Sequence, residues 1–222
     1  MTSFQPYVQQ IQLFKELKPK SLKFLADNSI EKHFAKGQAL FLEGEPCIGI
    51  YLVISGQIKV FKQGNTGRQQ TINFFKPEQS FNEIGLIEGV KNAVSAVALE
   101  PSHIFIVPCS AIGEILQDEP KFVQKVILNL TKRIHYLSEL VRDLSVKSVR
   151  SRLAEYLLLE SENSDGIILR RDWYTQEELA SRLGTVTDVI QRTLRQFDQM
   201  GVIKMSRSQI EIKDQAALND LI

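Results

Sequence analysis

A stripe of apolar residues in the second half of the chain is the feature that most restricts the fold. Its members alternate steps of four and three residues, and they are Val123, Ile127, Leu130, Ile134, Leu137, Val141 and Leu144. This heptad spacing predicts one long helix after Pro120 and favours pairing of that helix with a second copy of the chain. The alternative is that the stripe packs against the protein's own domain.

Short strand-like runs occupy the chain before this helix. They lie at residues 39–42, 50–54, 57–61, 70–75, 93–99 and 103–107, with glycines between them at Gly37, Gly44, Gly56, Gly64, Gly67 and Gly89. Short strands with regular glycine turns indicate an antiparallel barrel or sandwich. Ahead of the strands, residues 11–28 predict two short helices joined at Pro19.

The chain beyond the long helix predicts a second domain with two helices separated by a tight turn. A hinge at residues 143–148 leads to a helix over 149–159 and a polar loop at 161–166. Thr175 and Glu178 form a capping box, in which each side chain binds the backbone amide of the other. This helix is expected to stop at Gly184, and Thr185 is expected to cap a second helix that ends before Gly201.

The second of these helices has one apolar and one polar face. The apolar face is predicted to hold Val186, Ile190, Thr193, Leu194 and Phe197, and the polar face Thr187, Asp188, Gln191, Arg192 and Arg195. Exposed hydrogen-bonding side chains on a short helix suit the major groove of DNA, where Arg can bind guanine and Asp can accept a hydrogen bond from cytosine. The alternative is an ordinary solvated surface helix.

A predicted β-hairpin follows, with residues 202–205 and 209–212 flanking a tip at 206–208. The tip, which carries Arg207, can lie along a phosphate backbone. Across residues 182–207 the basic side chains are Arg182, Arg192, Arg195, Lys204 and Arg207, against Asp188 and Asp198. The segment is therefore modestly basic, although the net charge of the whole chain is only +1.

Composition excludes several other classes of protein. The 222 residues, 43% hydrophobic and 24% charged, are typical of a soluble globular protein with one large or two small domains. No apolar run approaches the roughly 20 residues of a membrane span, and no secretory signal is visible, so a cytoplasmic location is expected. Cys47 and Cys109 lack nearby metal-ligating partners and are expected to be buried structural thiols.

Taken together, these segments resemble the family of cyclic-AMP receptor proteins and fumarate-nitrate regulators (CRP/FNR) over essentially the whole chain. Residues 36–44 and 50–56 are similar to the β-roll signatures of that family, and residues 81–93 to its phosphate-binding cassette. Residues 151–158 are similar to its first C-terminal helix.

The resemblance implies an α+β fold with a cyclic-nucleotide-binding-like β-roll (jelly-roll), a long dimerisation helix and a winged helix-turn-helix, bounded at residues 1–118, 119–145 and 146–222. It implies a homodimeric transcription regulator, not an enzyme, which binds a palindromic DNA operator and RNA polymerase. The expected DNA contacts are Thr175, Gln176, Thr185, Thr187, Asp188, Gln191, Arg192, Arg195 and Arg207. Of these, Asp188 and Arg192 are expected to touch bases.

The effector pocket departs from the pattern of the cyclic-AMP binders. Those proteins carry Gly-Glu at the start of the cassette and Arg followed by Ser or Thr near its end, where this chain has Asn82-Glu83 and Lys91-Asn92. Lys lacks the planar fork that grips a phosphate, and Ser138 is one hydroxyl where the family has two. Cyclic AMP is therefore disfavoured, and the predicted pocket residues are Glu83, Lys91, Asn92 and Ser138. Glu83 and Lys91 either contact a ligand or form a turn-stabilising ion pair.

No cofactor is assigned from the sequence. The N-terminal cysteine cluster of the iron-sulfur branch is missing, so no iron-sulfur cluster is expected. His33, His103 and His135 could ligate haem, as in gas-sensing relatives, but structural roles are favoured. A cupin-like enzyme would need a metal, and no two histidines stand near a carboxylate at metal-binding spacing, so no metal site is expected. A third alternative is a constitutive DNA binder whose own side chains fill the pocket.

Overall fold

A computed structural model of the chain describes residues 7, 11, 13–65, 67–86, 89–162, 166–169, 175–206 and 208–222. The helices are α1 (Pro19–Asn28), α2 (Cys109–Asp118), α3 (Pro120–Val146), α4 (Val149–Glu162), α5 (Gln176–Arg182), α6 (Thr187–Gln199) and α7 (Gln215–Asn219). The strands of the first half are β1 (Ile30–Phe34), β2 (Ala39–Phe41), β3 (Gly49–Ser55), β4 (Ile58–Gln63), β5 (Gln69–Phe75), β6 (Ser80–Phe81), β7 (Ser95–Ala98) and β8 (Ser102–Pro108). The strands of the second half are β9 (Ile167–Leu169), β10 (Ile203–Met205) and β11 (Gln209–Ile212). The chain divides into two compact units, Met1–Gln63 with Ile72–His135 and Gly64–Thr71 with Tyr136–Ile222.

The first unit is built on two four-stranded sheets, with strand orders β1-β8-β3-β6 and β2-β7-β4-β5. β3 explains why this part of the sequence is so apolar. Ile50 and Leu52 face a core shared with α1 and α2, whereas Tyr51 and Val53 face a second core that includes β4 and β7. Because successive residues of a strand point to opposite sides, a strand that is covered on both sides must be apolar throughout.

Most of the predicted elements are confirmed, including the strand-like runs of the first half and the α+β fold. Among the secondary-structure elements predicted for the first half, one is wrong within the described residues: residues 13–16 form turns rather than the first of two helices. Here the Phe14 amide donates to the Ile11 carbonyl and the Leu17 amide to the Phe14 carbonyl. Since Pro19 disfavours helical geometry at the residue before it, this stretch is too short to propagate a helix. Cys47 is buried as expected, whereas Cys109 is only half-buried.

The second unit contains the three-stranded sheet β10-β11-β9 and the helices α4 to α7. Its core includes Leu153 and Leu157 of α4, together with Ile190, Leu194 and Phe197 of α6. The sequence did not predict β9, because a three-residue strand carries too little periodicity to be recognised.

Helix α3 has two apolar faces with different surroundings. Phe122 and Val126 are buried in the core that also contains α1 and α2. On the heptad stripe, Ile127 is 58%, Leu130 is 38% and Val141 is 64% exposed. At these three positions the stripe is therefore not covered by the protein's own domain. Among the helices of the described residues, none has both the length and the hydrophobicity that a membrane span requires.

Candidate nucleic-acid interface and effector pocket

The turn between α5 and α6 is built from one cap and one glycine. At the start of α5, the Thr175 hydroxyl oxygen accepts a hydrogen bond of 3.2 Å from the Glu178 amide, as the capping box predicts. At its end, Gly184 adopts a φ of +66°, a left-handed conformation that glycine takes without strain. The Thr185 amide then donates to the Ala180 carbonyl at 2.9 Å and closes α5.

The expected role of Thr185 as the cap of α6 is wrong. The N-cap residue is Val186, with extended φ and ψ of −116° and 156°, and its side chain makes no capping hydrogen bond. The Thr185 amide instead belongs to the end of α5, where it donates to the Ala180 carbonyl, and α6 begins one residue later than expected. Val186 was also expected to face inward, but it is 49% exposed.

The two predicted faces of α6 are otherwise confirmed. Ile190, Leu194 and Phe197 are completely buried, and the Thr193 hydroxyl donates to the Val189 carbonyl at 2.8 Å. On the other side Asp188, Arg192 and Arg195 are exposed, and Thr187 and Gln191 are half-buried. Burial of one face therefore fixes α6 with its hydrogen-bonding side chains accessible.

The hairpin of β10 and β11 is also confirmed. The Ser206 amide donates to the Gln209 carbonyl at 2.9 Å and closes the turn, while Arg207 lies outside the described residues. At the start of α5, Thr175 is exposed and Gln176 half-buried.

Among the basic residues of 182–207, Arg182 is half-buried and packs against a neighbouring helix of its own unit. The guanidinium of Arg182 lies 4.7 Å from the centre of the Tyr156 ring and 3.5 Å from the Glu160 carboxylate. The exposed basic groups on α6 and β10 are Arg192, Arg195 and Lys204.

Sequence reasoning missed Arg152, which ties three helices together. Its side chain donates to the carbonyl oxygens of Leu183 at 3.0 Å and Asp143 at 3.3 Å, and also to that of Lys147. The Lys147 ammonium lies 3.2 Å from the Asp143 carboxylate and 2.7 Å from that of Glu155. Arg152 thus fixes the carboxyl ends of α3 and α5 against α4. The signal in the sequence that could have indicated this role is the position of Arg152 shortly after the predicted hinge.

A cavity of about 130 Å³ lies in the β-roll. The residues that line it are Val60, Phe81, Asn82, Glu83, Ile84, Ala93, Val94 and Arg133. Burial raises the pKa of the Glu83 carboxyl, and a hydrogen bond from its own backbone and the positive charge of Arg133 offset part of the rise. The Arg133 guanidinium lies 5.0 Å from the centre of the Phe75 ring. No pattern in the sequence predicts that Arg133 turns toward this cavity.

The structure brings only part of the predicted pocket together. Glu83 lines the cavity, whereas Asn92 is buried beside it and accepts a 3.0 Å hydrogen bond from the Asn82 side chain. Lys91 is exposed, and among the described side chains the charge that acts on Glu83 is Arg133, not Lys91. Of the two alternatives for Glu83 and Lys91, the turn-stabilising ion pair is therefore not formed among the described residues. Ser138 lies on α3, in the second unit.

Replacement of Glu83 tests the environment of this cavity. A carboxyl whose pKa is raised on folding makes its full contribution to stability at pH values below its pKa in the unfolded state, near 4.5. That contribution is lost as the pH rises through its pKa in the folded state. We expect Glu83→Gln to unfold at higher urea concentration than wild type at pH 7, with a difference that shrinks toward pH 4.5. The exposed Glu114→Gln on α2 is the matched control. A Glu83→Gln difference that is the same at every pH would contradict this expectation.

The expectation that no two histidines approach a carboxylate is also wrong. His33 and His103 lie on neighbouring strands, and their Nε2 atoms are 3.8 Å and 2.8 Å from the Glu31 carboxylate. Sequence separation hides this group, since antiparallel pairing joins residues that are far apart in the chain. His135 is exposed on α3.

Comparison with known proteins agrees with both units. The cyclic nucleotide-binding domain family matches residues 31–119, and the Crp-like helix-turn-helix domain family matches residues 151–221. The CRP-like cAMP-activated global transcriptional regulator of Mycobacterium tuberculosis is 24% identical over 210 residues, which cover 93% of this chain and 94% of that protein. The global nitrogen regulator of Synechococcus elongatus is 23% identical, over 85% of this chain and 87% of its own length.

A crystal structure from Eubacterium rectale, described as a crp/fnr-family transcriptional regulator, superimposes with a TM-score of 0.78 at 25% identity. The match covers 96% of this chain and 98% of that one. A cyclic-nucleotide-binding-like β-roll followed by a Crp-like helix-turn-helix, together with these relatives, identifies a DNA-binding transcription regulator, which is not an enzyme. The chain belongs to the CRP/FNR family of these regulators.

Proposed function

We propose that the protein is a homodimer that recognises a palindromic DNA sequence through α6 and is controlled by a small effector bound in the β-roll. The observation that carries this proposal is the division of α6 into a buried face and an exposed polar face. Arg192 can donate two hydrogen bonds to guanine, and Asp188 can accept one from cytosine. Thr187, Gln191 and Arg195 would flank these base contacts.

The other predicted DNA contacts would bind the phosphate backbone. Thr175, Gln176 and Thr185 lie at the start of α5 and in the turn, and Arg207 belongs to the hairpin tip. Contacts of this kind position a protein on DNA without reading its sequence. They would set the register in which Arg192 and Asp188 meet the bases.

Dimerisation is supported by the exposed heptad stripe of α3. Ile127, Leu130 and Val141 are apolar, exposed and spaced as in a coiled coil, so a second copy of the same helix is the partner they fit. We assign residues 1–118 to effector sensing, 119–145 to dimerisation and 146–222 to DNA binding. A cytoplasmic location and contact with RNA polymerase complete the proposal.

The effector would be a small molecule other than cyclic AMP. Lys91, the residue at the position expected to grip a cyclic phosphate, is exposed, and the charged groups at the cavity are Glu83 and Arg133. The second candidate is a constitutive DNA binder. The size of the cavity favours it, since about 130 Å³ is small beside the roughly 300–1,000 Å³ of most ligand pockets.

Selection from a random library of double-stranded DNA tests the proposal. The full-length chain is expected to recover a palindrome with half-sites about 34–36 Å apart, and to run as a dimer in size-exclusion chromatography with light scattering. Recovery of a single half-site by a monomer would contradict the dimer. The selection is repeated with cyclic AMP and with 2-oxo acids, and equal DNA affinity across this panel would favour the constitutive alternative.

A further inference from the structure

The outer sheet of the β-roll carries a compact group of two imidazoles and a carboxylate, distant in sequence from the predicted site residues. β1 and β8 pair antiparallel, with His33 opposite His103 and Glu31 opposite Phe105. Because Glu31 and His33 are two residues apart on one strand, they point to the same side of the sheet. The imidazoles of His33 and His103 are stacked, with ring centres 4.4 Å apart.

The possible ligand atoms of these three side chains are close to the spacing that one metal ion requires. One nitrogen from each histidine and one Glu31 oxygen all lie within 4.8 Å of one another. Around a tetrahedral Zn²⁺ with bonds of about 2.0–2.1 Å, ligand atoms lie about 3.3 Å apart. The His103–Glu31 pair at 2.8 Å and the His33–Glu31 pair at 3.8 Å bracket that value. The His33 side chain is 72% exposed, so solvent leaves room for it to adjust.

The environment of His103 is a second, independent observation. Its Nε2 atom is buried and makes no hydrogen bond with the described residues, although the Glu31 oxygen is only 2.8 Å away. Tyr7 and Phe105 flank the ring, with ring centres at 6.1 Å and 5.1 Å, and hold it against the sheet. A buried ring nitrogen without a hydrogen bond is uncommon in proteins, and an ion shared with the adjacent carboxylate would satisfy it.

We propose that Glu31, His33 and His103 bind a divalent transition-metal ion of the zinc class. Imidazole nitrogen favours Zn²⁺, Ni²⁺ or Cu²⁺, whereas sites for Mg²⁺ and Ca²⁺ are built mainly from oxygen. Three protein ligands leave one coordination position for water or a further ligand. The site cross-links the edge strand β1 to β8, which continues directly into α2, and it is separate from the cavity that Glu83 lines.

Zinc titration of the full-length, tag-free protein after removal of chelator tests this proposal. Competition with a chromophoric chelator is expected to show one Zn²⁺ per chain. His33→Ala and His103→Ala should each weaken zinc binding at least tenfold, and Mg²⁺ should not compete. His135→Ala, which removes the exposed histidine of α3, is the matched control and should bind zinc like the wild type.

A second measurement covers the case in which His103→Ala fails to fold. Zinc should raise the Tm of the wild type and of His135→Ala, and this shift should be absent from Glu31→Gln and His33→Ala, whose side chains are partly exposed. Co²⁺ substitution should give the visible absorption of a four-coordinate site in the wild type and in His135→Ala, and not in Glu31→Gln or His33→Ala. Zinc affinity and Tm shifts in the Glu31 and His33 variants equal to those of the wild type would overturn the proposal, and so would equal loss in His135→Ala.

Discussion

Arg192→Ala should abolish the preference of the protein for one DNA sequence over another while its fold and dimer remain intact. Arg192 is exposed on α6, directly before the buried Thr193 and Leu194 that anchor the helix. Truncation would therefore remove the proposed base contacts without opening the core. A bidentate contact to guanine is worth about 1–3 kcal/mol of discrimination, or roughly 5- to 150-fold for each half-site. Affinities measured for the selected palindrome and for a scrambled duplex of equal length would become nearly equal.

Lys204→Ala distinguishes sequence-specific recognition of bases from non-specific electrostatic binding to DNA. Lys204 is exposed on β10, beside the hairpin tip, and we expect it to contact phosphate, as lysines on DNA-binding surfaces commonly do. Its loss should weaken binding to both duplexes by a similar factor and reduce the salt dependence by about one phosphate contact. If Arg192→Ala kept the preference of the wild type for the palindrome, the assignment of α6 as the recognition helix would be wrong.

Phe197→Ala should destabilise the second unit by about 3–5 kcal/mol, as truncation of a buried aromatic side chain usually does. Phe197 is completely buried on the inner face of α6, in a core that it shares with Leu153 and Leu157 of α4. The cavity left behind would weaken the packing that supports α6. Unlike Arg192→Ala, this change should reduce binding to every DNA sequence.

Urea unfolding followed by circular dichroism measures this loss, and limited proteolysis locates it in the second unit. Gln196→Ala is the matched control, because Gln196 is the exposed neighbour of Phe197 on the same helix. Its effect on the free energy of unfolding should stay within about 0.5 kcal/mol. A Phe197→Ala protein that unfolds at the same urea concentration as Gln196→Ala would show that α6 does not depend on this core.

Local signals in the sequence accounted for the elements whose structure is set by near neighbours. The capping box at Thr175, the glycine turn at Gly184 and the two faces of α6 depend on residues at most a few positions apart. The wrong prediction at Thr185 is also local: the hydrogen bonds at the end of α5 extend to Thr185, so α6 begins one residue later than the pattern indicated. Boundaries shift in this way because the end of one helix and the start of the next compete for the same residues.

Groups assembled by pairing between distant strands or helices could not be predicted in the same way. His33 and His103 meet because the register of β1 against β8 places them opposite each other, and that register depends on the packing of the whole sheet. Arg133 belongs to the long helix, yet it reaches a cavity formed mainly by the strands and the cassette. In both cases the residue types were visible in the sequence, but their neighbours were not.

The position of Arg133 on α3 has a consequence for any titration of this protein. The same helix carries Arg133 at the cavity and, one residue away at Ile134, the exposed stripe that we propose pairs with a second copy. An effector that binds the associated and the separated chains with different affinity must change their association by the same factor, because thermodynamic coupling is reciprocal. Apparent effector affinity should therefore vary with protein concentration near the dimer dissociation constant, and become constant well above it.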